Sequence, residues 1–310
     1  MDVGDGNGAR AATDRWYEWL LHGRFAGDAK AAEAGMRMLS RVRDRVLDAA
    51  KIAPGATLLD VGCGDGLIAF GALDRVGGGG RVIFSDISQP LLDHARTLAD
   101  EMDARARCSF VRASADDLSP VGDASVDAVT TRSVLIYVAD KAAAFREFHR
   151  VLRPGGRLSA WEPINRFNAT YEPDALLAPP PDDVRDLAKR LGDFFRELQP
   201  LDSDPMMDFD EHDLLRQCEA AGFHFVRIDV RILSTLAKPV RWETAIAGAG
   251  NPNIPSIAAA MRRIFSEDER ARYEAAMRPR FEAGGFPQRS AVAHLIAVKD
   301  GGEETPDLMQ

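Results

Sequence analysis

Five short apolar runs separated by helical patterns follow one another between residues 57 and 162, and no other feature of the chain restricts its fold as much. The runs are Thr57–Val61, Arg81–Asp86, Cys108–Arg112, Val126–Thr131 and Arg157–Glu162. Their apolar positions are nearly continuous, as in strands buried on both faces. Helices are expected between them at Leu67–Val76, Gln89–Asp103 and Lys141–Leu152, the second with Ser88 as N-cap and Pro90 in its first turn. This alternation predicts an α/β fold with a parallel sheet covered by helices. After Pro163 the rhythm stops. Residues 163–209 are rich in Pro and Asp and hold one clear helix, Val184–Leu198. A helix at Glu211–Ala221 and a strand at Phe223–Arg231 resume the pattern. A second irregular stretch, 232–290, holds helical patterns at Ile257–Phe265 and Glu267–Arg278, and a strand at Ala291–Val298 follows. The expected organisation is an N-terminal tail and helical cap segment at 1–50, a core at 51–162, a lid insertion at 163–209, the core continued at 210–231, a second cap insertion at 232–290, and the last core strand with a C-terminal tail at 291–310. Residues 1–12 and 300–310 read as polar tails. Both insertions leave the sheet where they can cover its carboxyl edge, the ligand-binding side of open α/β folds.

The segment Leu59-Asp60-Val61-Gly62-Cys63-Gly64-Asp65-Gly66 joins the first strand to the first helix. Alternate glycines let the backbone turn sharply and approach a ligand, and the helix N-terminus that follows favours an anionic group. A dinucleotide fingerprint needs a third glycine at the position of Leu67, and a P-loop needs Gly-Lys-Ser/Thr; neither is present. Asp60 and Asp65 flank the loop and would repel a diphosphate. They favour a ligand that carries an ammonium and a sulfonium with one small carboxylate, which describes S-adenosylmethionine. Asp86 ends the second strand near the roughly 20-residue offset at which an acid meets ribose hydroxyls. Ile87 follows it and can pack on the adenine face.

Taken together, TLLDVGCGDG, VIFSDIS, FVRASADDLS, SVDAVTTRSVLIYV and HRVLRPGGRLSAWEP resemble, in order and spacing, the class I S-adenosylmethionine-dependent methyltransferases. The similarity is greatest to the small-molecule branch that includes the quinone-biosynthesis methyltransferases. It is strong over 50–162 and weaker over 210–231. The resemblance implies a Rossmann-like, seven-stranded methyltransferase sheet with helical cap or lid insertions. It implies Asp60, Gly62, Gly64 and Gly66 around the methionine part of the cofactor, Asp86 on the ribose, Ser114 and Ala115 at the adenine edge, and Arg132 beside the cofactor. The family often has Asp or Asn where this chain has Ser114, so the adenine contact is open to Asp116, a water or the backbone.

Methyl transfer from a sulfonium is an in-line displacement, so much of the catalysis can be positioning and desolvation. A base is needed only where the acceptor's proton must leave. Glu162 and Tyr137 are the catalytic candidates, since each follows a strand at the carboxyl edge; the alternatives are a structural acid and a packing ring. Asn165 and Arg166 lie nearby. Among the aromatic residues of the N-terminal segment, Trp16 and Trp19 are read as a packing face and Tyr17 as the ligand candidate. Tyr171, Trp242 and Phe286 are candidates for an apolar acceptor pocket in the insertions. The reaction expected is methylation at O, N or C of a small organic acceptor, aromatic or natural-product compounds included. The rivals are a nicotinamide-dependent oxidoreductase and a non-catalytic cofactor-binding protein. With 39 Lys and Arg against 48 Asp and Glu, the net charge is −9, which disfavours a nucleic-acid partner. No run approaches a membrane span of about 18 residues or more, and Met1–Arg10 lacks the apolar run of a signal peptide. The three cysteines lie far apart without a C-x-x-C, and no histidine pair has ligand spacing. No metal is expected, a reduced cytoplasmic setting fits, and a homodimer is open.

Overall fold

The computed structural model describes residues 14–24, 29–171 and 178–301. The tails expected at the two ends, residues 300 and 301 apart, lie outside the described residues, as does the side chain of Tyr171. Seven strands form one sheet: β1 (Thr57–Val61), β2 (Arg81–Asp86), β3 (Cys108–Arg112), β4 (Val126–Arg132), β5 (Leu152–Pro163), β6 (Phe225–Leu236) and β7 (Pro287–Val298), in the order β3-β2-β1-β4-β5-β7-β6. The first five are mutually parallel, whereas β7 runs antiparallel to both β5 and β6. The sheet is therefore mixed. The reversal is possible because β7 arrives from the long second insertion and slots between β5 and β6, with no crossover helix to impose a parallel direction.

Eleven helices accompany the sheet among the described residues: α1 (Arg15–Glu18), α2 (Ala29–Ala50), α3 (Leu67–Val76), α4 (Gln89–Glu101), α5 (Lys141–Val151), α6 (Asn165–Tyr171), α7 (Arg185–Leu198), α8 (Glu211–Ala220), α9 (Trp242–Ala247), α10 (Ile257–Ile264) and α11 (Glu267–Ala283). Their ends follow local chemistry. Ser88 caps α4 by accepting from the Leu91 N–H, with Pro90 in the first turn, as its sequence predicts. Asp210 and Asp213 form a capping box at α8, and Ser266 and Glu269 another at α11. One sheet face buries Val46, Leu47, Ala72, Leu92 and Ala95 from α2, α3 and α4; the other buries Phe145, Phe148, Leu214 and Cys218 from α5 and α8.

A third cluster lies off the sheet. It joins Val184, Leu187, Leu191 and Phe195 of the first insertion to Trp242, Ile257, Met261, Tyr273, Met277 and Phe281 of the second. The two insertions, read in the sequence as separate stretches, share one small core. Helices α6 and α9, absent from the sequence reading, are short pieces of 7 and 6 residues whose periodicity is too brief to register. Strands β6 and β7 are longer than expected because they pair with each other over 12 residues, well past the end of β5.

Candidate active site

The strand order reverses between β1 and β4, and the crevice outside the carboxyl ends of those strands is a cavity of about 470 Å³. That position and volume are usual for a small-ligand site. The glycine loop forms one wall. Gly62, Gly64 and Gly66 all have positive φ, which a side chain rarely tolerates. A Cβ on Gly62 would run into Cγ2 of Val134, and one on Gly64 would stand 2.9 Å from Cδ2 of Leu20. Gly66 is not part of the cavity lining; it is needed because a Cβ there would collide with the ring of Phe70.

Asp86 closes the crevice at the end of β2. It is 7% exposed, and each carboxylate oxygen accepts one backbone N–H, from Ser88 at 2.9 Å and from Gly64 at 2.9 Å. Burial raises its pKa, and those two N–H groups partly oppose the rise. It therefore locks the glycine loop to β2 while facing the cavity. Asp60 is buried beneath the loop. Its carboxylate accepts from Thr130 Oγ1 at 2.8 Å and from the Ala69 N–H at 3.2 Å, and burial pushes its pKa up to about 7. Ile87 lines the cavity as a half-exposed side chain, and Ser114, Ala115 and Arg132 line it too. The Ser114 hydroxyl donates to the Asp116 carboxylate, so serine and acid act there as one polar unit.

Glu162 takes a different place from the one its position suggested. It is 1% exposed and outside the cavity lining, and its carboxylate accepts the backbone N–H groups of Val134 at 3.0 Å and Ile136 at 3.4 Å. Burial lifts its pKa to about 7 against the pull of those N–H groups. It pins the turn after β4, where Ser133 sits at φ 55°, an unusual value for a residue with a Cβ, and where Val134 abuts Gly62. Tyr137, on the same turn, does line the cavity. Burial first, then the Glu162 carboxylate, pushes its phenol up to about 12. At neutral pH it is therefore a hydroxyl.

The roof corrects the reading of the N-terminal aromatic residues. Trp16 and Trp19 line the cavity, whereas Tyr17 is outside it, edge-on to His22 and His94. Trp16 meets the Tyr137 ring edge-on at 4.7 Å, and Trp19 Nε1 donates to the carbonyl of Ala249 at 3.0 Å. Trp16 and Trp19, three residues apart, do share a face, and that face is turned to the cavity; a π-helical turn follows at Trp19–Gly23. Gly250 and Asn253 from the second insertion and Met206 and Asn165 from the first complete the roof. Arg166 instead holds the first insertion, donating to the Leu201 carbonyl at 2.8 Å and to Asp202 at 3.0 Å. Trp242 and Phe286 lie buried in the cap cluster, away from the cavity. Arg15 and Arg24 also line the cavity and were missed; their only signal was a cationic flank to an aromatic segment. The Arg24 pKa is lowered by burial and by neighbouring Arg132.

Asp210, Glu211 and His212 bring potential ligand atoms within 4.8 Å of one another. Asp210 is spent capping α8, accepting from the His212 and Asp213 N–H groups, and the trio is outside the cavity.

Residues 59–160 match a family described as a methyltransferase domain. A nocamycin O-methyltransferase of Saccharothrix syringae is 34% identical over 145 residues, 47% of this chain and 50% of that protein. A ubiquinone/menaquinone biosynthesis C-methyltransferase of Vibrio cholerae is 33% identical over 132 residues, 40% of this chain and 50% of that protein. The chain spans at most half the length of these relatives. Among solved structures, the YcgJ protein of Bacillus subtilis superposes with a TM-score of 0.52 at 16% identity, covering 83% of this chain and 97% of that one, and shares the fold.

Proposed function

We propose that this chain, whose residues 59–160 match a methyltransferase domain, is a class I S-adenosylmethionine-dependent methyltransferase that transfers a methyl group to O, N or C of a small organic acceptor. The observation that carries the reading is Asp86, clamped to the Gly64 N–H at the carboxyl edge of the sheet with its carboxylate facing a roofed cavity. The donor set fits the cofactor. Gly62 and Gly64 leave backbone open to the methionine part, acids at 60, 65 and 86 suit its ammonium and sulfonium, Asp86 can accept from the ribose hydroxyls, and Ser114, Ala115 and Asp116 can meet the adenine. When bound, the cofactor supplies an activated methyl group on a sulfonium.

This chain's own residues do the positioning. Glu162 holds the turn that presents Val134 and Tyr137, so its role is to orient that turn. Tyr137 hydrogen-bonds the acceptor, and Trp16 and Trp19 exclude water from above. Catalysis in such a site rests on alignment and desolvation more than on a dedicated base. The acceptor enters between the turn at Ser133–Val138 and the cap. The net charge of −9 favours a small molecule over nucleic acid. No helix among the described residues is long and apolar enough to cross a membrane. Three free, buried cysteines fit a reduced cytoplasmic setting.

The test is calorimetry with S-adenosylhomocysteine and with NADH, followed by turnover of radiolabelled cofactor against phenols, quinones and amines. Binding of the homocysteine product and label transfer to one acceptor class are expected. NADH binding without product binding would overturn the assignment in favour of an oxidoreductase. Product binding without turnover across the panel would favour a non-catalytic cofactor-binding role.

A further inference from the structure

Strand β6 ends the sheet, and no strand lies beyond it among the described residues. It is 12 residues long, about twice the usual strand length, and its ladder with β7 is unbroken from Phe225 to Leu236. Sheet edges are normally blunted by a proline, a bulge, a covering segment or charged side chains; of these, among the described residues, β6 carries only charges, and they are of both signs. β6 has no proline and no break in register. Its side chains alternate in a particular way. Val226 and Ile228 pack on the core, and the same face continues outward through Val230 and Ile232, which are 40% and 59% exposed. The opposite face carries Arg227, Asp229 and Arg231.

We propose that the partner of this edge is a second copy of the same chain, paired β6 to β6 antiparallel about a two-fold axis at Val230. The two sheets then continue as one. Charge selects this register. An axis at Asp229 would oppose two carboxylates and set Arg227 against Arg231, and an axis at Arg231 would oppose two guanidiniums. An axis at Val230 sets Asp229 opposite Arg231 twice, by symmetry, and Ile228 opposite Ile232 twice, with Val230 on itself. An axis at Ile228 also matches charges, setting Arg227 against Asp229, but its ladder ends at Arg231, whereas the axis at Val230 extends the pairing to Thr235 and covers Leu233. Within the chain Asp229 already accepts from Arg227 at 2.8 Å. Arg231 has no carboxylate partner among the described residues, and the second copy's Asp229 supplies one. Opposed aliphatic pairs and opposite charges favour a strand pairing, and like charges directly opposite disfavour it. An isologous contact of this type closes on itself as a dimer.

Sedimentation velocity on the full chain across the micromolar range tests the proposal. A dimer is expected. Arg231→Asp places carboxylates opposite Asp229 and should raise the dimer dissociation constant at least about tenfold, as should Asp229→Arg. The double exchange, Asp229→Arg with Arg231→Asp, should restore the dimer. Val230→Lys puts two ammoniums on the axis and should give a monomer with unchanged circular dichroism and product binding. A wild-type monomer at every concentration overturns the proposal. So does a dimer indifferent to the two single charge reversals, which change exposed or half-exposed side chains and leave the core intact. Neither result bears on the methyltransferase reading, whose cavity lies on other strands.

Discussion

Replacing Asp86 by alanine removes the acceptor that the cavity and the loop share. In the intact chain its two oxygens each hold one backbone N–H at 2.9 Å, from Gly64 and Ser88, in a site only 7% exposed. Hydrogen bonds to a charged group contribute about 1.5–3 kcal/mol each when they have no ready substitute. In the proposed complex the carboxylate also accepts from the ribose. Losing that contact, together with the fixed position of Gly64, should cost about 2–3 kcal/mol of binding, or roughly 30- to 150-fold in the dissociation constant of S-adenosylhomocysteine. Stability should fall by less, because the alanine variant no longer buries a charge, the same cost that raises the Asp86 pKa. Asp86→Asn keeps one acceptor and should lie between. Isothermal calorimetry on folded protein reads all three. A deoxyribose analogue of the product sharpens the test: it should bind wild type more weakly than the product does, and bind Asp86→Ala with no such difference. A folded Asp86→Ala chain with wild-type affinity, or a deoxyribose penalty that survives the substitution, would refute the ribose assignment.

Gly62→Ala should destabilise the fold by about 2–4 kcal/mol, the sum of left-handed strain at φ 64° and a collision with Val134. Urea unfolding measures this, and Val134→Ala in the same chain should recover part of it. Trp16→Ala should lower kcat/KM about tenfold through loss of the roof contact. Tyr17→Ala, which alters a ring outside the cavity, should change it less than about twofold; equal effects would restore the earlier reading of Tyr17. Glu162 is raised from an ordinary 4.5 to about 7 by burial. A carboxyl whose folded pKa is raised contributes stability that is full below its unfolded pKa and is lost as pH rises through the folded value. The stability difference between wild type and Glu162→Gln should therefore move against wild type between about pH 4.5 and 7 and level off above. The size is on the order of 3 kcal/mol. A difference constant over that range in equilibrium unfolding would show that the carboxyl titrates normally.

The strand–helix core was legible because each of its elements is local. Apolar runs of 5 to 7 residues in β1 to β4, a serine N-cap and a glycine loop act over a few neighbouring residues, so their physics is written in consecutive letters. The same holds for Asp86, which sits where a strand ends. Three features were not legible, each for its own reason. Antiparallel β7 depends on which gap in the sheet a returning chain enters. The single cap core depends on apolar faces of α7, α10 and α11 meeting across some seventy residues of intervening chain. Glu162 looks, by position, like a residue aimed at an acceptor; only the path of the turn at Ser133–Ile136 sends its carboxylate to backbone N–H groups instead.

What this chain's sequence determined alone is the α/β core, the glycine loop and the acid at the end of β2, since short-range sterics and capping decide those. Tertiary structure decided which aromatic residues roof the cavity, which acid orients and which one faces it, and which strand edge is left open. Those outcomes turn on the direction of side chains brought together from distant segments, and no run of neighbouring residues encodes that direction.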